Sequence, residues 1–247
     1  LKMSDWQYKR AHSIILFGLG VYLLYKVVSG TLYFYINARF TWLVVLGGVG
    51  LLLLGLVAWP RDSTAAASHS HAHEHTPRST RWALLVLGAP LLLGFLVPAR
   101  PLDGSALDTR GLTTRALMSV GGQNTIQLDQ PSDQRSVLDW VRAFNYASDP
   151  QTYVGEQADV VGFVYQDERL PAGQFLVGRF AVSCCVADAF AVGVIVQSDD
   201  AAQWAANQWV HVAGTVAVGS LEGVAIPLIE ATSIKAVPIP PQPYLFP

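Results

Sequence analysis

The 247 residues are enough for one or two domains, and 51% hydrophobic against 14% charged residues, with a positive mean hydropathy, sets the chain apart from ordinary soluble proteins. Charge is unevenly divided: up to Val97 there are 8 Lys/Arg against 3 Asp/Glu, and from Ala99 onward 8 against 15. The second part is therefore acidic, which excludes nucleic acid as its expected partner, and with only two cysteines, adjacent, neither a disulfide scaffold nor a four-cysteine zinc site can be built.

Three apolar runs occupy residues 1–100. The first spans about 13–28 and extends as far as 35 if Leu32-Tyr33-Phe34-Tyr35 continue it; the second covers 41–59 without a charge; the third covers 82–98 and contains Pro90. Each approaches the roughly 17–25 residues needed to cross a ~30 Å hydrocarbon layer, and backbone in lipid must satisfy its own hydrogen bonds, so three transmembrane helices are expected. Pro90 is expected to kink the third. The first run has a basic start but no clear small-x-small cleavage site, so it reads as a retained span. Gly47, Gly48, Gly50 and Gly55 offer the second helix a surface for close helix approach. No acidic residue or arginine sits at the centre of a span, which argues against an autonomous transport pathway.

Lys2, Lys9 and Arg10 precede the first run and Arg61, Arg78 and Arg81 follow the second, against Lys26, Arg39 and Arg100 on the other side. Six against three predicts a multi-pass cell-membrane protein with its N-terminus and second loop cytoplasmic and its C-terminal domain outside. That second loop, residues 61–81, carries His69, His71, His73 and His75 with Glu74 in a Ser/Ala-rich setting. Neutral imidazoles on a pliable loop suit zinc, copper or nickel.

Residues 101–117 read as a linker and 118–247 as a soluble β domain with a Pro-rich tail. Ser132 is the expected N-cap of one helix, whose apolar face is Val137, Trp140, Val141 and Phe144. Strands are expected at about 158–166, 174–183, 190–197, 209–218 and 224–237, with a short helix at 199–206. Five strands with a helix between the third and fourth is the order of an OB-fold-like barrel, a β-sandwich being the alternative. Gly162 and Gly214 sit where strands of a small barrel must bend.

The densest chemistry is Arg179-Phe180-Ala181-Val182-Ser183-Cys184-Cys185-Val186-Ala187-Asp188-Ala189. In an extended strand the two sulfurs would point to opposite sides; in a turn they could face one way, or join in a strained vicinal disulfide. Cys184, Cys185 and Asp188, with His211 or Asp167, could hold a soft or borderline metal, and Arg179 would then favour thiolate; the alternative is that the cysteines fill a small buried space. No catalytic triad, phosphate-binding glycine loop or acid pair supports an enzyme, and adjacent cysteines lack the two-residue gap usual for dithiol oxidoreductases.

These features carry a resemblance. The R-F-x-V-S-C-C-V-A-D-A stretch at 179–189, the W-V-x-V-x-G phrase at 209–214, Pro-Tyr-Leu at 243–245 and the apolar spans with a histidine loop resemble the YcgQ-like bacterial membrane proteins, a family of unknown function described as candidate permease subunits. The resemblance covers nearly the whole chain. It implies an accessory subunit partnered by a multi-span membrane permease and a link to zinc; it supplies no catalytic residues. A membrane-anchored thiol-redox protein is the second reading.

Overall fold

Long apolar runs, with charged residues at their ends in the first and third, coil into helix over Asp5–Val28 (α1), Thr41–Val57 (α2) and Pro77–Leu96 (α3). The computed structural model describes residues 5–60, 77–110, 130–147, 149–221 and 223–247, and the chain divides into two units: Leu1–Leu32 with Ala38–Arg100, and Tyr33–Asn37 with Pro101–Pro247.

In the first unit, Trp6–Val28 and Ala38–Val57 are long and apolar enough to cross a membrane; the apolar part of α3, Trp82–Leu96, is shorter than either. The expected extension of the first span to residue 35 does not form. Gly30, at φ 73°, follows the last turn of α1, and its N–H bonds to Val27, the left-handed exit that glycine permits. Side chains that look away from neighbouring helices stay open, Leu46 at 64% and Val57 at 72%, as lipid-facing residues would and core residues of a soluble protein would not. Helices α1 and α2 approach through small residues: a Cβ on Gly20 would lie 2.8 Å from the Gly48 carbonyl oxygen, and one on Gly55 would lie 3.0 Å from that of Ser13. Gly48 and Gly55 thus serve close approach, whereas Gly47 and Gly50 face open space. Helix α3 continues through Pro90 and packs on α1, where the Tyr22 hydroxyl donates to the Gly94 carbonyl at 2.9 Å.

In the second unit, part of the expected linker is helical, Gly104–Arg110 (α4). The next helix is Val137–Tyr146 (α5), and its N-cap is Ser136, not Ser132. Ser136 accepts from the Asp139 N–H while the Asp139 carboxylate accepts from the Ser136 N–H, a reciprocal capping box; Ser132 only opens a 3₁₀ turn. Val137, Trp140 and Val141 are fully buried, and Phe144 packs partly buried on the same core.

Six strands follow: Gln157–Tyr165 (β1), Gln174–Ala181 (β2), Phe190–Gln197 (β3), Trp209–Leu221 (β4), Val224–Ala236 (β5) and Tyr244–Leu245 (β6). They form one mixed sheet in the order β1-β4-β5-β3-β2-β6, with β1 also pairing β2 from Phe163 to Tyr165. The expected OB-fold-like barrel stands in part: the five long strands pair in the cycle β1-β4-β5-β3-β2-β1, but the ring is only partly closed. It is joined narrowly, by two parallel residue pairs between β3 and β5 and three antiparallel pairs between β1 and β2, and a sixth strand lies parallel to β2. The expected short helix at 199–206 is a 3₁₀ turn, Ala201–Gln203. Gly214 sits at an irregularity in the β4–β5 register, and Gly162 lies against the Gly178 carbonyl. One core gathers under α5; a second, with Phe163, Phe180, Val182, Trp209 and Tyr244, takes in Leu107 of α4.

Candidate functional site

The connection from β2 to β3 is built by its own polar groups. After Ala181 ends β2, the Val182 N–H bonds to the Leu245 carbonyl of β6 at 2.9 Å, and the chain then turns through Ser183, Cys184 and Cys185 into a 3₁₀ turn, Val186–Asp188. The Asp188 carboxylate reaches back across this turn and accepts the N–H of Ser183 at 3.1 Å and of Cys184 at 2.7 Å. Both sulfurs therefore face one way, 3.7 Å apart as free thiols, with Cys184 exposed and Cys185 half-buried. In this geometry the two thiols are unbridged, and neither cysteine lies in the buried core.

One ligand atom each from Cys184, Cys185 and Asp188 lies within 4.8 Å of the others. A zinc ion with Zn–S bonds of about 2.3 Å at the tetrahedral angle sets its sulfurs about 3.8 Å apart, so the observed sulfur separation suits tetrahedral coordination with little movement. A tetrahedral cation held by these three would have one coordination position left for a further ligand.

The protons are held accordingly. Hydrogen bonding to Asp188, reinforced by Cys185, pushes the Cys184 thiol up to about 11, and the same bond holds the Asp188 carboxyl below its usual range. The loop's tie through Asp188 is thus present above the ordinary carboxylate pKa and lost only as pH falls through the lowered one.

Arg179 takes no part in this. Its guanidinium donates to the carbonyls of Gln242 at 2.6 Å and Pro243 at 3.2 Å and lies 5.5 Å from the centre of the Trp209 ring; burial lowers it to about 10. It fastens the C-terminal tail instead of lowering a thiol. His211, on β4, pairs through Nε2 with Asp159 of β1 at 2.5 Å, and Asp167 is engaged by Arg169, which lowers its carboxyl. Neither belongs with the cysteines. His69, His71, His73, His75 and Glu74 lie outside the described residues.

Sequence reasoning missed two contributors. Residues of Tyr33–Asn37, between α1 and α2, pair with the cysteine turn as a short antiparallel bridge, Ile36 opposite Cys185. Asn37 donates its N–H to the Cys184 carbonyl and its Nδ2 to the Ser183 carbonyl, both at 3.0 Å, while the Val186 N–H bonds to the Tyr35 carbonyl at 2.9 Å. Tyr244 is the second contributor: its hydroxyl donates to the Phe34 carbonyl at 3.0 Å and accepts from the Leu102 N–H at 2.9 Å. The Pro-Tyr-Leu motif was the only signal in the sequence for either.

Among known proteins, the chain matches the DUF1980 N-terminal domain over residues 12–113 and the DUF1980 C-terminal domain over residues 113–247. It is similar to a Streptococcus mutans protein named "Putative two-component membrane permease complex subunit", 23% identical over 93% of this chain and 95% of that one. It is also similar to the "UPF0703 protein YcgQ" of Bacillus subtilis, 22% identical over 94% and 98%. Matched along nearly its full length by the two models in succession, the chain belongs to the DUF1980 family.

Proposed function

We propose that this protein is the membrane-anchored accessory subunit of a two-component permease, presenting a transition metal such as zinc to a multi-span membrane partner. The permease reading draws on the name of the Streptococcus relative. The metal reading is carried by one observation: two thiols 3.7 Å apart with a carboxylate in reach, at the surface, with a coordination position to spare. The His69, His71, His73 and His75 loop would supply a second set of ligands. A thiol-redox role fits less well, because a thiol held at about 11 is scarcely ionised at neutral pH and attacks poorly.

Membrane crossing is supported by parity. The connector Tyr33–Asn37 pairs with the soluble domain, so the two share one side of the bilayer. Crossings by α1 and α2 alone would leave the chain on the opposite side, and a third crossing, by the shorter apolar stretch Trp82–Leu96 of α3, would restore the match.

Purification of the full chain from membranes, followed by partner identification and metal analysis, tests the proposal. A multi-span membrane protein should co-purify, and bound metal should drop on Cys184→Ser with Cys185→Ser. A chain recovered without such a partner, and with metal content untouched by the double substitution, would refute it.

A further inference from the structure

Within the second unit, the cysteine turn is clasped by residues from far earlier in the chain, since consecutive carbonyls, those of Ser183 and Cys184, are both capped by Asn37. We propose that Asn37, with the connector backbone and Tyr244, is a positioning residue of the metal cluster, so that the cluster binds a soft or borderline divalent cation tightly only while the connector between α1 and α2 is docked. This inference rests on the metal reading of Cys184, Cys185 and Asp188.

Three observations carry it. The Cys184 carbonyl and N–H are both engaged, the first by the Asn37 N–H and the second by the Asp188 carboxylate, so the connector and a metal ligand grip one peptide segment from two sides. Asn37 is 6% exposed, and a buried amide is kept only where its hydrogen bonds are made. Finally, Tyr244 ties Phe34, next to the bridge, to the tail strand whose Leu245 carbonyl receives Val182 at the start of the turn. With the connector undocked, the turn keeps the Asp188 tie but loses three backbone-directed bonds, and the sulfurs lose their fixed separation. Binding is reciprocal by linkage: a metal that needs the docked connector must also hold it docked.

The test is titration of the full-length protein in detergent with Co²⁺, whose thiolate charge-transfer absorption reports sulfur ligation directly. Wild type should show a band that disappears on Cys184→Ser. Asn37→Ala should retain the thermal transition and weaken Co²⁺ about 10–100-fold, the usual effect of removing a group that orients a ligand. Tyr244→Phe should weaken it less. Asn37→Leu, which is close in size, uncharged and lacks the side-chain N–H, decides the matter if the alanine variant does not fold. Deuterium exchange of the peptide containing residues 33–37 should slow when Co²⁺ is added, a response that a role confined to folding would not give. A cysteine-dependent band of equal affinity in wild type and Asn37 variants, with connector exchange indifferent to Co²⁺, would overturn the positioning role alone. Absence of any cysteine-dependent band in wild type would instead overturn the metal reading, and this inference with it.

Discussion

At the scale of single residues, the pair Cys184 and Asp188 sets the pH behaviour of the site. Because the carboxylate holds the thiol proton, Cys184 should resist alkylation near neutral pH. In a Cys185→Ser chain, its rate with iodoacetamide should rise roughly tenfold per pH unit and level off well above the ordinary thiol value of ~8.5. Asp188→Asn should bring the plateau down toward that value. A plateau near 8.5 with Asp188 in place would show that the carboxylate does not hold the proton. Metal must displace the same proton, so affinity should climb with pH. The cluster of Cys184, Cys185 and Asp188 was legible because its members are sequence neighbours that a tight turn gathers. Arg179 was misread for the same reason: nearness in sequence was taken for nearness in space, but its side chain leaves β2 toward the tail. The roles of Asn37 and Tyr244 were not legible, since their partners lie 146 and 210 residues away; the Pro-Tyr-Leu phrase marked Tyr244 without saying what it touches, and nothing marked Asn37.

At the scale of elements, glycine placement distinguishes close approach from open surface. A Cβ on Gly214 would collide with the Glu230 carbonyl oxygen and sit 2.9 Å from Ile229 Cγ2, at the register irregularity of β4 and β5. Gly214→Ala should therefore cost about 1–3 kcal/mol, as overpacking of a tight site does. Gly50→Ala, in α2 with nothing near it, should be neutral or slightly stabilising, since alanine favours helix over glycine by roughly 1 kcal/mol. Thermal unfolding of the detergent-solubilised chain compares the two, and equal midpoints would refute the packing argument. The first five strands were legible to within a few residues because alternation and β-branched runs mark them. Strand β6 was not, being two residues in a Pro-rich tail that pair only because β2 leaves an edge free. The helix start was displaced from Ser132 to Ser136 because both serines look alike until Asp139 completes the box three residues on.

At the scale of the whole molecule, the basic residues flanking the apolar runs predict a sidedness that labelling can test. In a chain with Cys184→Ser and Cys185→Ser, a single cysteine placed at Ser220, an exposed position of β4, should react with a membrane-impermeant maleimide in intact spheroplasts. A cysteine placed at Ser70 in the histidine loop should react only after lysis. The reverse pattern would invert the orientation. The bridge between Ile36 and Cys185 carries a consequence for biogenesis. Residues 33–37 are synthesised with the first helices, yet their pairing partners emerge from the ribosome only after the third apolar run and β2 have been made. Contacts of such high sequence separation form late, because distant segments must be brought together before any bond rewards them. The cysteine turn is therefore completed only when chain insertion and domain folding have both finished, and a chain arrested before β2 leaves the connector with no turn to clasp.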